Sequence, residues 1–228
     1  MRRHFDDVAE KLRKTLLHMG SKVEEMIYLA IQALVDRTEE PLERVWRNED
    51  EVNQLHIEVD DRCLKLIALH QPTAGDLRFI MAATKINSDL ERIGDQAVNI
   101  GERAMDLLKH PQLSRKLLDI PRMADLAKEM LKDSLDAFTR KDVELARSVI
   151  KRDDEEDQLK SQASYALMQI MQSDSSTIQT ALGLILTARH LERIADHATN
   201  IAEDVIFMVL GKDIRHHAEE KEPLQGSQ

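Results

Sequence analysis

A single cysteine, Cys63, leaves no partner for an internal disulfide and gives no sign of an oxidising compartment. It shares a helical face with Val52, Val59 and Leu66, so a core thiol is expected there rather than a reactive one. Glycine and proline are scarce, at seven and five in 228 residues. With Leu, Ala, Glu, Lys, Arg and Met abundant, that composition fits long helices far better than strands. Long apolar runs are also missing. The longest, near 181–186 and 205–210, fall far short of the roughly 20 residues that span a bilayer, so no direct membrane insertion is expected. The N-terminal Met-Arg-Arg-His-Phe-Asp-Asp lacks the apolar run of a secretory signal, and a cytoplasmic location follows as an expectation. Positive charge is in deficit: the net charge of −10 repels nucleic acid and anionic lipid, leaving multivalent cations or basic protein surfaces as partners. Catalytic signatures are absent too. There is no Gly-rich phosphate loop, no His-Glu-x-x-His, no nucleophile elbow and no Glu-x-x-His of a buried di-iron bundle.

What the chain does hold is a helical pattern written twice. Leu12, Leu16, Met19, Val23, Met26, Ala30 and Leu34 recur at three- and four-residue spacing and predict a helix over about 4–37, which Gly20 interrupts without ending. Pro41 suits the first turn of a second helix ending near His70, because its missing N–H has no partner there. A third helix follows from about 73–76 to 108, and 109–121, with two prolines, reads as a linker. The pattern then restarts. Met26, Ala33, Asp50 and Leu55 match Met130, Ala137, Asp154 and Leu159 at an offset of 104, which becomes 101 after three residues are lost at the second turn. Helices are predicted at 120–139, 143–172 and 177–210, with Asp142 as an N-cap. The expected fold is all-α: two tandem, pseudo-symmetric three-helix bundles of long antiparallel helices, over 1–110 and 119–211, elongated overall. The polar segment 212–228 reads as a disordered tail.

The repeat also copies polar residues. Residues 89–100 and 190–201 agree at eight of twelve positions, and Glu, Arg, Asp and Asn are among the identical ones. At 100° per residue Glu91, Asp95, Asn99 and Glu102 fall within an arc of about 80°, and Glu192, Asp196, Asn200 and Glu203 repeat it. Leu90, Ile93, Ala97, Ile100 and Ala104 take roughly the opposite side, so the oxygen stripe is expected to face away from the immediate core. The second helix of each half adds Glu49, Asp50 and Asn53, matched by Asp153, Asp154 and Asp157. Facing stripes would offer four or more oxygen ligands in each half, enough for more than one ion. Such ligands suit hard divalent or trivalent cations such as Fe, Mn, Mg or Ca, and zinc less well.

A plainer account competes. Acidic outer faces are ordinarily solvated, like charges at this spacing cost only a few tenths of a kcal/mol each, and Arg92 and Arg193 offer counter-charge. Duplication of the same polar residues on two helices is what favours a cation site. His197, whose counterpart is Gln96, reads as a surface or core histidine. His56 and Asp60, matched by Lys160 and Ser164, are left out of the site. Outward-facing carboxylates would lack the desolvation that tunes acid–base catalysts. A metal-dependent phosphohydrolase and a purely structural helical adaptor remain as rival functions.

Through Leu90-Glu91-Arg92-Ile93-Gly94-Asp95-Gln96-Ala97-Val98-Asn99-Ile100 and its copy at 191–201, the chain resembles the PhoU family of phosphate-uptake regulators. The resemblance runs to about residue 211 and includes the Gln71-Pro72 turn and the acidic segments at 50–53 and 154–157. It implies tandem three-helix bundles and a non-enzymatic, cytoplasmic negative regulator of phosphate uptake and the phosphate-starvation response. It further implies contact with the phosphate ABC transporter ATPase and a sensor histidine kinase. A homo-oligomer, as a homodimer, is the expected assembly. Some members hold multinuclear iron or zinc clusters through Glu/Asp-x-x-x-Asp pairs, which correspond here to Glu91 and Asp95, Glu192 and Asp196, and Asp153 and Asp157. Glu49 and Asn53 form a fourth pair in which an amide replaces an acid. Gln96 stands where a His is usual, so the resemblance implies a weaker first-half site.

Overall fold

A computed structural model describes residues 4–113 and 119–214. Six long helices account for almost all of them: α1 (His4–Asp36), α2 (Leu42–His70), α3 (Ala74–Leu108), α4 (Ile120–Arg140), α5 (Val143–Ser173) and α6 (Ile178–Leu210), with a short 3-10 turn at Ser175–Thr177 before α6. The boundaries follow local chemistry. Pro41 takes the cap position of α2 at φ −65°, the angle its ring imposes. Thr73 and Asp76 form a reciprocal capping box at the start of α3. The Asp142 carboxylate accepts from the Leu145 N–H at 3.0 Å. Arg37 and Lys141, equivalent at the 104 offset, both close their helices in the left-handed conformation, at φ 53° and 56°. The duplication is therefore visible in the backbone as well as in the side chains. Gly20 lies inside α1, where a Cβ would clash with the Leu135 side chain, so its role is close approach of α1 to α4.

Helices α1–α3 pack together, as do α4–α6, but the most extensive contact in the described structure joins the halves, α3 against α6. These two run antiparallel: Arg78, near the start of α3, donates to the Met208 carbonyl near the end of α6 at 3.3 Å. Midway, His197 Nδ1 meets Asp89 Oδ1 and His190 Nδ1 meets Gln96 Oε1, each at 2.8 Å. Positions 89 and 190 are equivalent, as are 96 and 197, so the two pairs exchange under the repeat as contacts do across a two-fold dimer interface. Apolar residues from all six helices form one continuous buried cluster, so the tandem bundles share a core. Phe79 on α3 stacks on Phe138 of α4, with centroids 5.8 Å apart, and Arg13 lies over both rings. Cys63 is buried within this cluster.

Past α6, Gly211 turns the chain at φ 69°, and Ile214 packs on the core. The rest of the expected tail, from 215 onward, lies outside the described residues. Phe138→Ala, which empties a fully buried position spanning both halves, should lower the unfolding free energy by about 3–5 kcal/mol. Urea titration followed by circular dichroism checks this, and the shared core predicts a single transition in both proteins.

Candidate functional site

In the first half, α2 and α3 bring two acidic faces together. Glu49 is partly buried between them, and its carboxyl is raised above the usual range, first by burial and then by the charges of Asp95, Asp50 and Glu102. Residues from both stripes thus sense one another directly. Asn53 is exposed on α2. Glu91 is partly buried on α3 and pairs with no described residue, and Asn99 lies partly buried further along the same helix.

The second half is tighter and built differently. Asp153 is raised by burial and by Asp157, Asp154 and Glu192, while the Thr199 hydroxyl, donating to it at 3.3 Å, pulls the other way. Asp196 stays exposed by surface area. Even so, partial burial and then the charges of Glu192, Asp153 and Asp157 push it up to about 6. The Lys160 ammonium bridges Asp157 at 2.6 Å and Glu192 at 2.8 Å, and these bonds strongly favour its protonated form. Glu203 is partly buried and has a partner. Asn200 turns away from the stripe toward Asp89, at 3.5 Å across the α3–α6 seam.

The structure therefore gathers Glu49, Asp50, Asp95 and Glu102 in one cluster and Asp153, Asp154, Asp157, Glu192 and Asp196 in another. It does not hydrogen-bond Asn53, Glu91, Asn99 or Asn200 to either. The stripes were expected to face solvent without desolvation; instead burial is the leading cause of the shift at Glu49, Asp153 and Asp196, because α2 and α5 cover the edge of each stripe. Gln96 and His197 belong to the α3–α6 seam, so exchanging one for the other alters that interface rather than a cation ligand. Arg92 and Arg193 form no ion pair with a described carboxylate, which removes them as counter-charges. His56 turns to Asp60 at 3.4 Å and lies outside both clusters.

Two members of the second cluster escaped the sequence reading. One is Lys160, whose signal was its place one turn after Asp157. The other is Glu156, 1% exposed, whose two carboxyl oxygens have no hydrogen-bond partner. It stands where the first half has Val52, on the buried stripe of Val149, Leu159, Ala163 and Leu167. An acid at an apolar helical position was legible, had the core stripe been read for intruders.

The donor chemistry fits hard cations, since mutually repelling carboxylates are gathered beside an orphaned buried one. As the side chains stand, no three His, Cys, Asp or Glu groups among the described residues converge on one point. Burial, then the charges of Glu155, Glu192, Asp153 and Asp157, raises Glu156 from its ordinary 4.5 to about 8. The folded chain thus keeps a proton that the unfolded chain releases, and stability falls as pH rises from about 4.5 to about 8. In chelator-treated protein, Glu156→Val should be more stable than wild type at pH 8 by on the order of a few kcal/mol. That advantage should shrink toward pH 5, as measured by denaturant titration at each pH.

Comparison with known proteins follows the duplication of the fold. The PhoU domain model matches twice, at residues 16–104 and 120–205, one match on each half. The chain is 37% identical over 212 residues, 93% of its length and 83% of the other's, to a protein of Pseudomonas putida named phosphate-specific transport system accessory protein PhoU homolog. It is 41% identical over 213 residues to the Aquifex aeolicus protein of the same name, covering 93% of this chain and 96% of that one. The crystal structure of PhoU from Pseudomonas aeruginosa superposes with a TM-score of 0.88 at 36% identity, over 92% of this chain and all of that one. With both halves matched by the family model and close relatives aligned along nearly the whole chain, this protein belongs to the PhoU family.

Proposed function

We propose that this chain is a non-enzymatic, cytoplasmic regulator that restrains phosphate uptake and the phosphate-starvation response. It does so through contact with the phosphate ABC transporter ATPase and a sensor histidine kinase, and its acidic faces hold metal ions. The observation that carries the metal reading is the meeting of α2 with α3, and of α5 with α6, at carboxylates that raise one another's protonation. Glu49, Asp50, Asp95 and Glu102 would hold the ion or ions of the first half, and Asp153, Asp154, Asp157, Glu192 and Asp196 those of the second. A bound cation supplies the positive charge that such groupings lack and ties neighbouring helices together. In the second half Lys160 already provides one positive charge, so the two sites differ in what they ask of an ion. Iron and zinc are the ions the family resemblance favours.

Support for protein contact comes from surface residues copied along with the core. Exposed Leu64, Leu77 and Met81 at the α2–α3 turn correspond to exposed Met168, Ile178 and Leu182 at the α5–α6 turn. Folding does not require apolar side chains in water at both turns. Paired exposed apolar patches mark contact surfaces, and the relatives' name as accessory proteins of a transport system fits that use. No described helix is long and apolar enough to cross a membrane.

Elemental analysis of untagged protein should find stoichiometric transition metal, lost when Glu49, Asp95, Asp153 and Asp196 are all changed to Ala; chelator should lower the melting temperature of wild type only. Metal-free protein with a melting temperature indifferent to chelator would sink the metal reading. Cells lacking the chain should take up phosphate and express starvation genes in phosphate-replete medium. Leu64→Glu with Met168→Glu should fail to restore repression while remaining folded; restoration by that variant would rule out these turns as the contact. Phosphate-ester turnover by metal-loaded protein, abolished in Asp95→Ala and Asp196→Ala, would replace this reading with that of a phosphohydrolase.

A further inference from the structure

A buried acid without a partner stands on the core side of the second acidic face. Glu156 is 1% exposed, and neither carboxyl oxygen takes part in a hydrogen bond. Packing does not call for it. Its counterpart Val52 lies against Gly94, with Met26 and Val23 close by, and the residues equivalent to these three are Ala195, Met130 and Ala127, all fully buried. Such apolar surroundings suit a valine and leave a carboxylate unsatisfied. Arg152, one turn earlier, does not supply the missing partner: its guanidinium is taken by Asp133 of α4 at 2.5 Å, and its own Nε lacks an acceptor.

Two contacts fix where Glu156 lies relative to α6. Thr199 donates to Asp153 at 3.3 Å and Lys160 to Glu192 at 2.8 Å, and in that antiparallel register Glu156 is level with Asp196. On α5 it sits one turn from each of Asp153 and Lys160, within about 60° of both around the helix. The second acidic face therefore has an unpartnered carboxylate at its inner edge. Lys160 engages two of the others, its ammonium bridging Asp157 at 2.6 Å and Glu192. With that bridge in place, no three His, Cys, Asp or Glu groups among the described residues converge on one point. In the first half the equivalent residue is His56, which turns to Asp60 instead. An ammonium has three donors and one charge, whereas a hard divalent ion gathers about six oxygens. Resting on the reading that the acidic faces hold metal, we propose that Glu156 is a ligand of the second-half ion from the core side and that this ion displaces Lys160, metal and ammonium competing for Asp157 and Glu192. The halves then bind by different routes, the first by adding an ion and the second by exchanging one cation for another.

Equilibrium dialysis of the full chain, stripped with chelator and then exposed to manganese(II), tests this, with bound metal read by elemental analysis. Glu49→Ala with Asp95→Ala confines binding to the second half. In that background Glu156→Gln and Glu156→Val should each weaken manganese binding about tenfold or more, and Lys160→Met should tighten it about tenfold. Circular dichroism checks that each variant is folded, and valine is the residue the first half accommodates at this position. In the converse background, Asp153→Ala with Asp196→Ala, the same three substitutions should leave first-half binding unchanged. Second-half binding that is absent, undiminished in both Glu156 variants or unaltered in Lys160→Met overturns the proposal, while first-half binding keeps the metal reading. No saturable binding by the unsubstituted chain would sink both.

Discussion

The packing of α3 on α6 positions both acidic faces, because each of them lies on a flank of that one contact. Two copies of an apolar helical face meet antiparallel, and the polar residues at their margins pair crosswise, Asp89 with His197 and Gln96 with His190. Such an arrangement is what a two-fold homodimer would produce, carried here within a single chain. The halves consequently share a core, and each half's remaining helices are left to cover the outer edges of α3 and α6. Through that coverage α2 comes to face the first stripe and α5 the second.

Burial and like charge work in the same direction in these clusters. A carboxylate that loses part of its water and gains acidic neighbours holds its proton longer, and Glu49, Asp153 and Asp196 all do so. The halves answer this strain differently. The second contains its own cation, Lys160, together with a buried acid, Glu156, where the first has Val52 and an unbridged Glu91. Duplication supplied two similar scaffolds, and substitutions at their edges gave each a different electrostatic character. The seam shows the same divergence: Arg103 on α3 occupies the position that Asp204 holds on α6.

The helices, their caps and their twofold repetition were legible in the sequence, since apolar spacing, Pro41 and Asp142 act over a few residues and need no distant partner. So was the copied ladder of oxygen-bearing side chains. The direction in which that ladder faces was only half legible. Helical periodicity places Glu91 and Asp95 opposite Leu90 and Ile93, but it cannot say that α2 covers the flank. Gln96 and His197 were read beside the acids because they are adjacent in sequence, whereas a step of 100° around the helix carries them to the seam. Glu156 was overlooked because the polar residues around it in sequence hid its place on the apolar stripe.

The sequence by itself determined the all-helical, duplicated architecture and family membership, both of which depend on local periodicity and on residues repeated at a fixed offset. Only the tertiary structure decided that the halves merge through one seam, that Lys160 bridges the second acidic face, and that Glu156 is buried without a hydrogen-bond partner. Those outcomes depend on contacts between side chains some 30 to 120 residues apart, and no helical spacing encodes which distant faces will meet.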